Sequence, residues 1–205
     1  MKSMHGFTIV ELMITAAVAA VLVTLAAPSL YDFILMQRLK SINAQLVTDM
    51  QFARSEAVSR FEPRSDNASQ SVDVQVVFRP ATNGATMSCY SIYTDTSANP
   101  RNRCDCTQPP GLRCPAASTR EIRTVQIPVG QGVRQSLPPN QARGFSYLST
   151  TGGIRVWPID VTASSLDFRV DTFIDAGRKL RTAIGMSGRP SVCSPDGGVT
   201  GYAPC

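Results

Sequence analysis

From Phe7 to Leu30 the chain is apolar at every position except Thr8, Glu11, Thr15, Thr24 and Ser29. A helix of that length spans about 36 Å, enough to cross a bilayer. After Pro28 the polarity changes but the helical period continues. Leu35, Leu39, Ile42, Leu46, Met50, Ala53 and Ala57 recur at steps of three or four and form one apolar stripe. Arg38, Asn43, Gln45, Asp49 and Glu56 fall mostly between them. Pro28 lacks a backbone donor and should bend or loosen the helix, and Pro63 should end it by about Phe61. The pattern thus predicts one long helix: a membrane-spanning half over 7–30 and an amphipathic half over 31–62, the spine for a domain over 63–205.

Beyond that point the period drops to two. "SVDVQVVF" (71–78) alternates Val72, Val74, Val76 and Phe78 with mostly polar residues. "CYSIYT" and "EIRTVQIP" are shorter strand candidates. "IRVWPI" (154–159) alternates until Pro158, which places it at a sheet edge. "SLDFRVDTFI" (165–174) and "RKLRTAIGM" (178–186) read as a hairpin turning through Asp175-Ala176-Gly177. Leu166, Phe168 and Val170 would then share a face with Leu180, Ile184 and Met186. The expected fold class is α+β: a long N-terminal helix packed on a globular β-rich domain.

Composition narrows the picture further. The 205 residues are 43% hydrophobic, so a packed core is within reach. Net charge is +5, with 17 Arg and three Lys among the 20 basic residues. Six cysteines, Cys89, Cys104, Cys106, Cys114, Cys193 and Cys205, all follow the apolar segment. An even number beyond a membrane-length segment points to disulfides in an oxidising compartment. Zinc is the rival, but Cys104-Asp-Cys106 followed by seven residues to Cys114 lacks paired C-x2-4-C spacing. Cys193–Cys205 is the expected bridge across a Gly/Pro-rich C-terminal loop, with Cys89–Cys104 and Cys106–Cys114 for the others. Residues 97–119 read as a long loop stapled by these cysteines.

Glu11 needs an explanation, since a charge near mid-bilayer costs roughly 3 kcal/mol on insertion scales. A secretory signal would cut after a small-x-small site such as Thr24-Leu25-Ala26, yet such signals seldom carry a carboxylate in the apolar core. A plain anchor explains the length and leaves Glu11 idle. The stretch "GFTIVEL", after the short flank "MKSMHG", resembles the N-terminal signature of type IV pilins and type II secretion pseudopilins. The resemblance implies a leader over 1–6, cut after Gly6 by a prepilin peptidase, and methylation of the new Phe7 amine. It also implies that Glu11 is retained for assembly. A carboxylate there can neutralise the amine of a neighbouring subunit, and opposite charges in low dielectric favour each other's ionised forms. Such a pair can fix register without adding net stability. Lys2 would hold the N-terminus in the cytoplasm. The expected location is the bacterial inner membrane, with the C-terminal domain periplasmic, and then a pilus or pseudopilus beside other pilin subunits.

"QLVTDMQFARSEAVSR" (45–60) is similar to the helix signature of the GspH/FimT group of minor pilins and pseudopilins. This implies a structural subunit, in the initiating or tip complex of a type IV pilus-like fibre or in a type II secretion system. Catalysis is not expected. The one histidine, His5, lies in the leader, so the mature chain would have none for a Ser-His-Asp, Cys-His or histidine–metal system. No GxxxxGK[ST] phosphate loop is present. Asp167 and Asp171 read as a solvated strand face rather than an acid/base pair. No cofactor or resident metal is expected.

Binding of DNA is the alternative. Residues 100–150 hold seven Arg against Asp105 and Glu121, a local excess of five. Arg178, Lys179, Arg181 and Arg189 form a second basic group near the C-terminus, and such clusters neutralise phosphates. FimT-like competence pilins carry a C-terminal G-R-x-R element that binds DNA. Here the match is Gly188-Arg189-Pro190-Ser191, with Ser in the last place. On the period-two pattern Lys179 and Arg181 share the solvent face, and Arg178 joins them only if the turn releases it.

Overall fold

The computed structural model describes residues 8–60, 72–82, 84–96, 103–156 and 167–205. The cleavage positions Gly6 and Phe7 lie outside these residues, as do Pro158 and Leu166. The chain divides into two compact units, Met1–Gln37 and Arg38–Cys205.

One helix, α1, runs from Ile9 to Ser59. In the first unit its long apolar side chains, among them Ile9, Val10, Leu12, Met13 and Ile14, are exposed. The hydroxyls there turn inward on the helix itself: Thr15 donates to the Leu12 carbonyl (3.0 Å), Thr24 to Val21 (2.8 Å) and Ser29 to Ala26 (2.9 Å). Hydroxyls satisfied in this way can enter an apolar medium without losing a hydrogen bond. Among the described residues no single helix is long and apolar enough to cross a membrane. The stretches Ile9–Thr24 and Ser29–Ser59, bent at the break holding Pro28, pass together on length and composition.

In the second unit the remainder of α1 joins two antiparallel sheets. One has the order β3 (Thr119–Pro128), β2 (Met87–Asp95), β1 (Val74–Arg79), β5 (Gly144–Tyr147), β6 (Ile154–Val156). The other runs β4 (Arg134–Ser136), β7 (Phe168–Phe173), β8 (Lys179–Ile184), β9 (Pro190–Cys193). The arrangement is α+β. Leu46, Met50, Ala53 and Ala57 of α1 pack with Val76, Phe78, Ile92, Phe145, Phe168 and Ile184 in one core. Phe168 joins the sheets, its ring centroid 5.3 Å from Phe78 and 4.8 Å from Phe145. Such aromatic contacts add stabilisation beyond the area they bury.

The helix ends at Ser59, before Phe61 as expected. Several other expectations change. Asn43 and Asp49 are buried at 1% exposure rather than solvated between the apolar positions. Both are held by the sheets: Thr182 of β8 donates to Asn43 Oδ1 (3.0 Å), and the Tyr90 hydroxyl donates to Asp49 Oδ2 (2.7 Å). Arg123 of β3 lies 3.2 Å from Asp49 Oδ1. Met186 is 57% exposed instead of facing the core, because β8 ends at Ile184. Strands β4, β5 and β9 have three or four residues each, too few to show a period.

The cysteine pairing is also corrected. Cys193 is bonded to Cys205, but the other bridges are Cys89–Cys106 and Cys104–Cys114. The expected Cys89–Cys104 and Cys106–Cys114 links fail for a backbone reason. The Asp105 N–H donates to the Arg113 carbonyl (2.7 Å), which sets Cys104 opposite Cys114. Cys106 is left for Cys89, which shares a face of β2 with Ser91 and Tyr93 by strand alternation. The loop then covers that face, with Cys104 and Cys114 packed against Val77 and Tyr93. All six sulfurs are in disulfides, and no cluster of metal-ligating side chains occurs among the described residues.

Candidate functional site

At the start of α1, Thr8 and Glu11 form a local unit. The Glu11 backbone N–H donates to Thr8 Oγ1 (3.3 Å), and that hydroxyl lies 3.5 Å from Glu11 Oε2. The Leu12 N–H donates to the Thr8 carbonyl (3.2 Å). Thr8 is therefore the N-cap and Glu11 the third helical residue, the spacing of a capping box. The Thr-x-x-Glu spacing is present in the sequence, at the start of an apolar run whose length reads as a membrane segment. Glu11 remains exposed and has a second reason for its position: a carboxylate in the first turn is favourable at the positive end of the helix dipole.

The C-terminal basic residues do not form one patch. Arg178 lies in the turn before β8, while Lys179 and Arg181 occupy its half-buried face. Arg189 adjoins Pro190, which pairs with Ile184 at the opposite end of β8. Five strand steps separate Lys179 from Ile184, about 17 Å. The first three are also engaged with carboxylates. Arg181 makes a two-pronged contact to Asp171 (2.7 and 2.8 Å), Arg178 lies 2.6 Å from Asp175, and Lys179 lies 3.6 Å from Asp196. The hydrogen bonds to Asp171 raise the Arg181 pKa, with burial opposing. Hydrogen bonds from the Arg178 side chain and backbone hold the Asp175 carboxyl below the usual range.

Arg189 is different. It is exposed, has no carboxylate partner among the described residues, and lines an open cleft with Gln51, Arg54 and Pro190. Arg54 is not legible as a site residue in the sequence, because a lone Arg on a helix gives no sign of what lies opposite.

Residues 1–27 match the family described as the prokaryotic N-terminal methylation motif. This is the motif of type IV pilins and their pseudopilin relatives, and it implies processing by a prepilin peptidase, membrane anchoring and assembly with other pilin subunits. No curated protein and no solved structure matches the chain.

Proposed function

We propose that the protein is a minor pilin or pseudopilin of the GspH/FimT kind, a structural and non-enzymatic subunit of a type IV pilus-like fibre. The observation that carries this reading is the methylation motif over residues 1–27, with Glu11 exposed at the first turn of an apolar helix. The β-domain behind a long helix and the hydroxyls folded back onto α1 agree with anchoring before assembly. A place in the initiating or tip complex, and the choice between pilus and type II secretion system, belong to the same proposal. The DNA-receptor alternative needs a run of available cations. Ion pairing of Arg178, Lys179 and Arg181 weighs toward the structural role.

Intact mass and N-terminal sequencing of the protein from a piliated host test the reading. The mature chain should begin at a methylated Phe7. A chain that begins at Met1, or near Ser29, would end the prepilin assignment.

A further inference from the structure

The cleft beside α1 has a volume of about 330 Å³ and is lined by Gln51, Arg54, Arg189 and Pro190. Gln51 and Arg54, three residues apart, share one helix face. Arg189 reaches them on a turn that requires glycine. Gly188 has φ of 75°, and a Cβ there would lie 2.0 Å from the Gly152 carbonyl oxygen and 3.2 Å from Arg54 Nε. The backbone just before Arg189 is thus pressed against the Arg54 guanidinium. Arg54 Nε donates to the Gly152 carbonyl (3.0 Å), which fixes the plane of the fork and leaves its terminal nitrogens for other acceptors. Among the described residues neither Arg54 nor Arg189 has a carboxylate partner, whereas Arg113, Arg169 and Arg181 each do. Exposed Arg120, Arg134, Arg143 and Arg155 also lack one among the described residues, but none of them lines this cleft. Two cations held together without a counter-charge repel each other, and an anion seated between them removes that penalty.

We propose that this cleft receives a carboxylate from a neighbouring protein subunit, an aspartate, glutamate or chain terminus held between Arg54 and Arg189. The partner assignment rests on the fibre-subunit reading. A single carboxylate is favoured over a polyanion because Arg54 and Arg189 are the two cations that line the cleft, enough for one planar anion and too few to track a charged backbone. The cations at the far end of β8 are already bound by Asp171, Asp175 and Asp196. A nucleic acid would gain one or two phosphate contacts here, a logarithmic salt slope of about 1–2, which is weak binding. A planar carboxylate matches the guanidinium fork in two parallel hydrogen bonds.

The test uses the full chain in detergent, with NMR of the arginine side-chain Nε–H groups. A short Glu/Gly peptide should shift the Arg54 and Arg189 signals. Arg189→Gln should weaken that binding roughly tenfold, with backbone signals of the sheets unchanged, while Arg120→Gln should leave it as in wild type. Arg54→Lys, which keeps the charge and loses the fork, should weaken binding without abolishing it. A peptide that shifts neither signal overturns the site. So does unchanged affinity in Arg189→Gln, or a DNA duplex bound more tightly than the peptide through Arg189. Sheared fibres separate the two levels. A chain that enters fibres but binds no peptide sinks the cleft alone. A chain that binds peptide yet never enters fibres overturns the assignment of the partner as a fibre subunit.

Discussion

Asp49 shows how one residue is decided by its surroundings. On the helix it falls between apolar neighbours and reads as solvent-facing, yet it is buried and bridges Tyr90 of β2 and Arg123 of β3. Burial, and then the bond to Asp49, push the Tyr90 hydroxyl well above its ordinary pKa. Replacing Asp49 with Ala leaves a buried hydroxyl without its acceptor, at a cost of about 2–4 kcal/mol in denaturant unfolding. Tyr90→Phe alone should cost less, and the double variant should be clearly more stable than the sum of the two losses implies. Simple additivity would mean that the contact carries no coupling. Burial also raises Tyr93 and Tyr147, so all three hydroxyls should contribute to the alkaline absorbance change only on unfolding.

At the scale of the element, the 103–118 loop is the clearest case. Two bridges close it, and side chains tie it to the five-stranded sheet. Arg79 pairs with Asp105 (2.8 Å), Arg113 with Glu121 (2.8 Å), and the Gln126 amide donates to the Cys106 carbonyl (2.7 Å). Burial pulls the Asp105 carboxyl upward, but hydrogen bonds from Thr107 and Arg79 outweigh it and hold its pKa below the usual value. A depressed carboxyl stabilises the fold fully above its unfolded pKa of about 3.9 and loses that contribution as pH falls through the folded one. Protection of the Thr107 amide from exchange should therefore decline below about pH 4. Asp105→Asn should remove this acid dependence, and a decline that persists in the variant would place its origin elsewhere.

For the molecule as a whole, the question is whether its positive charge acts collectively. Net charge of +5 gives a general attraction to polyanions, but sequence counted cations without their partners. With Arg181, Arg178 and Lys179 engaged at one end of β8, Arg189 at the other, and exposed Arg120 and Arg155 on opposite edge strands of the five-stranded sheet, the detergent-solubilised chain should retard duplex DNA weakly. Its logarithmic salt slope should stay near 1–2, the signature of one or two phosphates. A slope of several units, lost when Arg178, Lys179, Arg181 and Arg189 become Gln, would restore the receptor reading.

The long helix, its apolar first half, the processing motif and the hairpin of β7 and β8 are all legible in the residues alone. Each is a local or periodic signal: an uninterrupted apolar run, a residue type at fixed spacing, an alternation long enough to count. The rest depends on how distant segments pack. Asn43 and Asp49 are buried because strands bring Thr182 and Tyr90 to them across more than 40 residues of chain. The cysteine pairing follows a backbone bond inside the loop and the face on which Cys89 stands, neither of which is visible in spacing. Arg54 and Arg189 line one cleft because Gly188 and Gly152 let two turns touch against the helix. Side chains far apart along the chain leave no periodic trace, since their approach is set by how the helix and sheets share one core.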